Sequence, residues 1–279
     1  MKLTNSKQRL IIVAPNGARK TKTDHQNLPI TPDEMAAEVQ DCVNAGAGMV
    51  HLHARTADGR HSLEIEDNAL MMKAVKDAVG DRVIIQLTTE AVGLYQPSEQ
   101  MALIKALMPE AASFSLSELI PDVHHEQAAS EFFHWVAEQK IIAQYILYSA
   151  EQLSYYLDLR ARKLLPDSHH HLLLVLGRYH AQQESQPEDL SPFLPLLEKT
   201  TVRWAICAFG NKEQECLIKA AELGGDVRIG FENNLYTKSG TLAKSNAQQV
   251  QDLVNALKKN LSIMDPNTFR QSFENNNSL

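Results

Sequence analysis

Residues 47–79, AGMVHLHARTADGRHSLEIEDNALMMKAVKDAV, change period partway along. The apolar run AGMVHLHAR gives way to EIEDNALMMKAVKDAV, whose apolar residues recur at three- and four-residue steps, so a strand is followed by a helix. The same pair of signals recurs along the chain. QRLIIVAP precedes TPDEMAAEVQDCVNAG, DRVIIQLTT precedes PSEQMALIKALM, and AASFSLSEL precedes HEQAASEFFHWVAEQ. The second half pairs IIAQYILYS with AEQLSYYLDLRARKLL, HLLLVLGRY with SPFLPLLEK, VRWAICAFG with KEQECLIKAAELGG, and DVRIGFENN with NAQQVQDLVNALKKNL. These make eight βα units. Each helix is the crossover that returns the chain for another strand in the same direction, so the sheet is parallel. Eight units match a closed (β/α)8 TIM barrel of the α/β class. A doubly wound open sheet is the runner-up, but the turn after the first strand reads APNGARKTK and not GxGxxG.

The 279 residues are read as a single barrel domain, 1–279, with a polar C-terminal tail over about 266–279. RQSFENNNSL at its end reads as a frayed tail or an oligomer contact. Thr31 is the expected N-cap of the first helix, with Pro32 at its first position. Apolar residues make up 44% and charged residues 22%, the balance of a globular chain with a sizeable core. A net charge of -7 without a dense basic block argues against nucleic acid as a partner. No stretch approaches the roughly 18 apolar residues of a membrane span. Cys42, Cys207 and Cys216 form no CxxC pair, which suits a reducing cytoplasm.

Chemistry in a barrel sits at the C-terminal strand ends. His51 and His53 close the second strand, and side chains two apart on a strand share a face. Two imidazoles entering the mouth together could hold zinc, whose catalytic sites take three protein ligands from N or O donors. Glu232, in RIGFENN at the end of the eighth strand, is the third candidate, because strands two and eight both neighbour strand one. Arg228 shares the face of Glu232 and could hold an anionic substrate or pair with an acid. Against this stand the plainer alternatives of a hydrogen-bonded histidine pair and a solvated loop glutamate. His169, His170 and His171 precede the sixth strand at the wrong end, and His124 and His125 look like a helix start; neither group is assigned to the site.

PNGARKTK, NLPITPDE, AGAGMVHLHARTADGRHS and GGDVRIGFENNLYTKSGTLAKSNAQQV together resemble the β-keto acid cleavage enzymes, a family of zinc-dependent (β/α)8 proteins, along nearly the whole chain. The resemblance implies a reversible Claisen-type exchange in which a β-keto acid and acetyl-CoA give acetoacetate and a new acyl-CoA. It implies zinc (Zn2+) held by His51, His53 and Glu232, substrate positioning by Arg228, and a hydroxyl at Thr88 that hydrogen-bonds the reacting oxygen. It also implies a homo-oligomer, with a tetramer among the possibilities.

Two positions depart from the family pattern. Asn233 stands where relatives often carry an Asp implicated in proton transfer, and an amide cannot serve as a base. Either another acid takes the role, Glu118 or Glu90, or Asn233 only orients Arg228. Arg19, after the first strand, stands where some relatives carry an acid, which disfavours a cationic substrate tail and favours a neutral or anionic one; its alternative, with Lys20, is a solvated pair. Gln144 and Tyr145 are further candidates for the pocket lining, and Gly177, Arg178 and Gly210 for backbone approach to CoA. Two rival functions are a zinc hydrolase of the amidohydrolase kind, which places HxH on the first strand, and a barrel that keeps zinc without catalysis.

Overall fold

The computed structural model describes residues 7–177 and 184–274. The eight strands close into a parallel barrel: β1 Ile11–Val13, β2 Met49–Leu52, β3 Ile84–Thr88, β4 Ala111–Ser115, β5 Ile142–Leu147, β6 His170–Val175, β7 Arg203–Cys207 and β8 Asp226–Ile229. β8 closes on β1 with Ile12 opposite Arg228, while β1 meets β2 with Val13 opposite Val50. That closure puts the ends of β2 and β8 on either side of β1.

The crossover helices are α1 Pro32–Ala45, α2 Ile65–Val79, α3 Pro97–Leu107, α4 Glu126–Glu138, α5 Ala150–Ala161, α6 Leu194–Leu197, α7 Glu213–Glu222 and α8 Asn246–Leu257. Thr31 caps α1 as expected, in a reciprocal box with Glu34, and left-handed Gly46 ends it. The sixth crossover departs from the expected helix. It is a 3-10 turn, Pro187–Leu190, followed by the single turn α6, since Pro187, Pro192 and Pro195 bring no amide hydrogen to continue a ladder. No helix among the described residues is long and apolar enough to cross a membrane.

The expected polar tail is corrected over most of its length. Residues 266–274 form a further helix, α9 Pro266–Glu274, which plugs the N-terminal end of the barrel; residues 275–279 lie outside the described residues. Phe269 and Phe273, one turn apart, are buried against Leu10, Ile12, Met49, Ile84 and Leu173. An open barrel bottom supplies the apolar surface that a polar-looking segment needs in order to fold onto it.

Above that plug the barrel interior is polar. Buried Asp226 accepts from the Leu10 amide at 2.7 Å, from Arg203 Nη2 at 2.6 Å and from His171 Nε2 at 3.2 Å. Although burial pushes its carboxyl up, Arg203 and His171 hold it down to about 2. Gln144 Nε2 donates to the other ring nitrogen of His171 at 2.9 Å. The Asp226 carboxylate is thus matched by one guanidinium, one imidazole and one backbone amide, which is the condition for keeping its charge inside.

Two histidines other than His51 and His53 make the fold acid-sensitive. Burial pushes His170 and His61 down to about 3, well below the ordinary imidazole value. Between about pH 6.5 and 3 the unfolded chain takes up protons that the folded chain refuses, so stability falls as pH falls. Glu213, whose carboxyl burial raises, opposes this in part above the ordinary carboxylate range. Urea midpoints at pH 7 and pH 4 should show the loss, and His170→Gln, which keeps an acceptor for the Tyr156 hydroxyl, should lose less between the two. An equal loss in both would contradict the assignment.

Candidate metal centre and catalytic pocket

A cavity of about 790 Å³ opens at the C-terminal ends of the strands, with His51, Thr88, Glu90, Arg228, Glu232 and Asn233 in its wall. His51 and His53 leave β2 on one face, as the two-residue strand period requires, and their Nε2 atoms are 3.0 Å apart. Glu232 Oε2 comes from β8 to 3.2 Å from His53 Nε2 and 3.7 Å from His51 Nε2. The three ligand atoms lie within 4.8 Å of one another. Two donors each ~2.1 Å from one ion stand about 3–3.5 Å apart, so the spacing fits a shared divalent cation.

The protonation states fit as well. Burial pushes His51 down to about 3, leaving it neutral, the ligand form. Glu232 stays ionised: burial alone would raise its carboxyl, but Arg228 and the two imidazoles hold it well below the usual range. Its Oε1 accepts from Arg228 Nη2 at 2.9 Å, while buried Oε2 makes no well-formed hydrogen bond among the described residues. A buried carboxylate oxygen left open toward two imidazoles is what a cation site needs.

Local backbone explains how Glu232 arrives there. Its amide donates to Ala14 O at 3.1 Å, so the turn after β8 crosses directly over the end of β1. Gly17, at φ 65°, faces the Glu232 side chain, and a Cβ there would fall 2.5 Å from Glu232 Cγ. Arg55, the last residue of HLHAR, clamps the same loop by donating to the carbonyls of Gly17, Gly59 and Lys20, with 2.7 Å to Gly59 and 2.9 Å to Lys20. Asn16 Nδ2 ties the loop to His53 O at 3.1 Å. Gly17→Ala should therefore displace the carboxylate and weaken metal uptake about tenfold or more, with roughly 1 kcal/mol of backbone strain. Isothermal titration with zinc checks this, and unchanged affinity would contradict it.

Thr88, Arg19, Glu90 and Asn233 all reach the cavity wall. Thr88 Oγ1 accepts from the Glu90 amide at 3.0 Å, leaving its hydroxyl hydrogen to donate elsewhere. Asn233 is 4% exposed, and neither amide atom has a partner among the described residues, so it does not orient Arg228 as one sequence reading held. Arg228 instead contacts Glu232 and Cys207 Sγ.

Three expected residues lie elsewhere. Gln144 faces the interior one layer too deep, where it serves His171, and Ile146 and Tyr148 reach the cavity from that strand. Tyr145 points outward against Phe133, Tyr156 and His170. Glu118 sits in a one-turn helix after β4 and accepts from the Ala91 amide at 2.9 Å and from Gln100 Nε2 at 3.0 Å, holding the loop after β3. Gly210 lines the cavity, the space beside Gly177 is filled by Ser185, and Arg178 lies outside the described residues.

Sequence reasoning missed Gln86, whose Oε1 accepts from His51 Nδ1 at 2.8 Å. Its signal was its place two residues before Thr88 on the inward face of β3, opposite His51 in register. Lys20, weighed only as half of a solvated pair, is half-buried in the cavity wall and donates to Glu232 O at 2.7 Å. Buried Glu213, which accepts from Asn234 Nδ2 at 3.1 Å, was passed over inside a helix pattern.

Fold and site together define a TIM barrel with a His, His, Glu cluster at its C-terminal mouth, the place where barrel enzymes carry their chemistry. Residues 9–274 match the family model of the β-keto acid cleavage enzymes, and the chain belongs to that family of enzymes. It is 28% identical over 274 residues to the 3-keto-5-aminohexanoate cleavage enzyme of Fusobacterium nucleatum, covering 95% of this chain and 97% of that one. It is 27% identical over 250 residues to the 3-oxoadipate:acetyl-CoA acetyltransferase of Cupriavidus necator, covering 88% of this chain and 86% of the relative. Among solved structures, ObcA in a ternary complex with a C4-CoA adduct and oxalate superposes with a TM-score of 0.71 at 19% identity, over 89% of this chain and 67% of that one. That likeness supports the fold.

Proposed function

We propose that the protein is a zinc-dependent β-keto acid cleavage enzyme that exchanges acyl groups with acetyl-CoA. In this reaction the bond between C2 and C3 of the keto acid breaks, and its two-carbon carboxylate unit joins the acetyl group to form acetoacetate. The remaining acyl group passes to the CoA sulfur, so atoms and charge balance. The convergence of His51 Nε2, His53 Nε2 and Glu232 Oε2 beside Arg228 in the cavity carries this reading.

A bound divalent ion would polarise the keto oxygen and support the oxyanion that forms on attack. The chain's own residues do the rest. Arg228 holds Glu232 in place and offers positive charge to the substrate carboxylate. Thr88 donates its hydroxyl to the reacting oxygen, and the unpaired Asn233 amide gives the substrate a donor and an acceptor, though it takes no proton. Arg19 in the wall disfavours a cationic tail. Of the substrates named for the relatives, 3-oxoadipate, with its second carboxylate, matches this lining better than 3-keto-5-aminohexanoate.

The test uses acetyl-CoA labelled with carbon-13 in the acetyl group and β-keto acids with anionic, neutral and cationic tails. Label is expected in acetoacetate and not in the new acyl-CoA, fastest with the anionic or neutral tails. Labelled acetate alone would point to a hydrolase, and no consumption of acetyl-CoA with any acid would overturn the reading.

A further inference from the structure

We infer that Gln86 and Glu90 are the outer partners of the two metal histidines, Gln86 fixing His51 and Glu90 taking the outer nitrogen of His53 when the ion is bound. This rests on the metal reading above and extends it to residues outside the ligand set.

His51 and Gln86 stand opposite each other in register on β2 and β3, both wholly buried. The 2.8 Å bond from His51 Nδ1 to Gln86 Oε1 puts the ring proton on Nδ1 and turns the Nε2 lone pair toward His53 and Glu232. An imidazole can bind a metal through one nitrogen while donating from the other, and that second bond sets its tautomer and ring angle.

His53 is arranged differently. Its Nδ1 is buried with no hydrogen bond among the described residues, and Glu90 Oε2 stands 3.8 Å away. Once Nε2 is committed to a metal, the proton of His53 must sit on Nδ1, creating a buried donor that needs an acceptor. The Glu90 backbone is held on both sides, its amide on Thr88 Oγ1 at 3.0 Å and its carbonyl under His61 Nε2 at 2.7 Å. Only the carboxylate is left to adjust, and about 1 Å of movement brings it within hydrogen-bond range. Glu90 is thus a positioning residue acting through His53, where the sequence suggested a proton-transfer acid.

Zinc affinity of the full chain, measured by competition with a chromophoric chelator, tests the inference, with the visible spectrum of the cobalt-substituted protein as a readout of ligand geometry. Gln86→Met and Glu90→Ala should each bind zinc roughly 10–100-fold more weakly and alter the cobalt spectrum. Gln86→Glu and Glu90→Gln keep an acceptor and should stay within about threefold of the parent. The melting temperature of each metal-free variant separates a folding defect from an affinity effect. A zinc-binding parent whose Gln86→Met or Glu90→Ala variant binds equally well overturns the outer-partner assignment alone. So does a Glu90→Gln variant that retains zinc but loses turnover, because Glu90 then moves protons. A parent that takes up no zinc overturns the metal reading and this inference with it.

Discussion

Arg228→Met is expected to lower kcat by about a hundred- to a thousandfold, the usual range for removing one preorganised charge contact from an oxyanion-stabilising site. Burial opposes the charge of Arg228, yet Cys207, Glu232 and Tyr148 hold its proton more tightly than in an ordinary arginine. Methionine fills similar space, so the change removes charge and donors with little change in packing. It also strands Glu232, whose Oε1 loses its 2.9 Å partner inside the barrel. An uncompensated buried charge of this kind is destabilising by about 3–5 kcal/mol, but a bound divalent ion would supply the missing positive charge. Zinc should therefore raise the melting temperature of Arg228→Met by more than it raises that of the parent. Calorimetry with and without zinc, beside steady-state kinetics, checks both halves. Equal zinc-induced shifts would separate Arg228 from the metal carboxylate.

Phe269→Ala should lower stability by about 3–5 kcal/mol, which for a chain of this size lowers the melting temperature by on the order of 10 °C. Phe269 is fully buried, and its ring lies 5.3 Å below the Arg203 guanidinium and against the His171 ring. Truncating it opens a cavity under the Asp226, Arg203 and His171 set and removes the ring that packs against Arg203 and His171. The rest of α9 stays anchored through Arg270, which donates to Asp81 O at 2.9 Å and pairs with Glu110. The effect should accordingly come from the lost ring and not from release of the helix. A urea-unfolding loss below about 1 kcal/mol would show that the helix covers the barrel without sealing it.

The barrel and the heart of its site were legible because both depend on period and order. Alternating runs call for parallel strands, and a strand's two-residue period puts His51 with His53 and Arg228 with Glu232. Closure then places β2 and β8 around β1. What periodicity cannot give is height along the barrel axis. Gln144, a candidate for the pocket lining, faces the barrel interior but lies at the level of His171, one layer below the cavity. Direction within loops is equally hidden, so Glu118, close to the mouth in sequence, spends its carboxylate on the Ala91 amide. Phe269 and Phe273 looked like two rings in a polar tail until the open barrel end gave them a surface to bury against. Glu90 and Gln86 acquire their meaning from hydrogen-bond geometry at β2, which no spacing rule encodes.

The most direct test of the central claim is metal content per chain, measured by elemental analysis on protein purified without added metal and again after zinc is supplied and the excess removed, for the parent, His51→Ala, His53→Ala and Glu232→Gln. Close to one zinc per parent chain, falling sharply in all three variants while their folds persist by circular dichroism, is the predicted result. A folded parent that carries no metal and takes up none when zinc is supplied would contradict it, leaving His51 and His53 as a hydrogen-bonded pair in a buried strand.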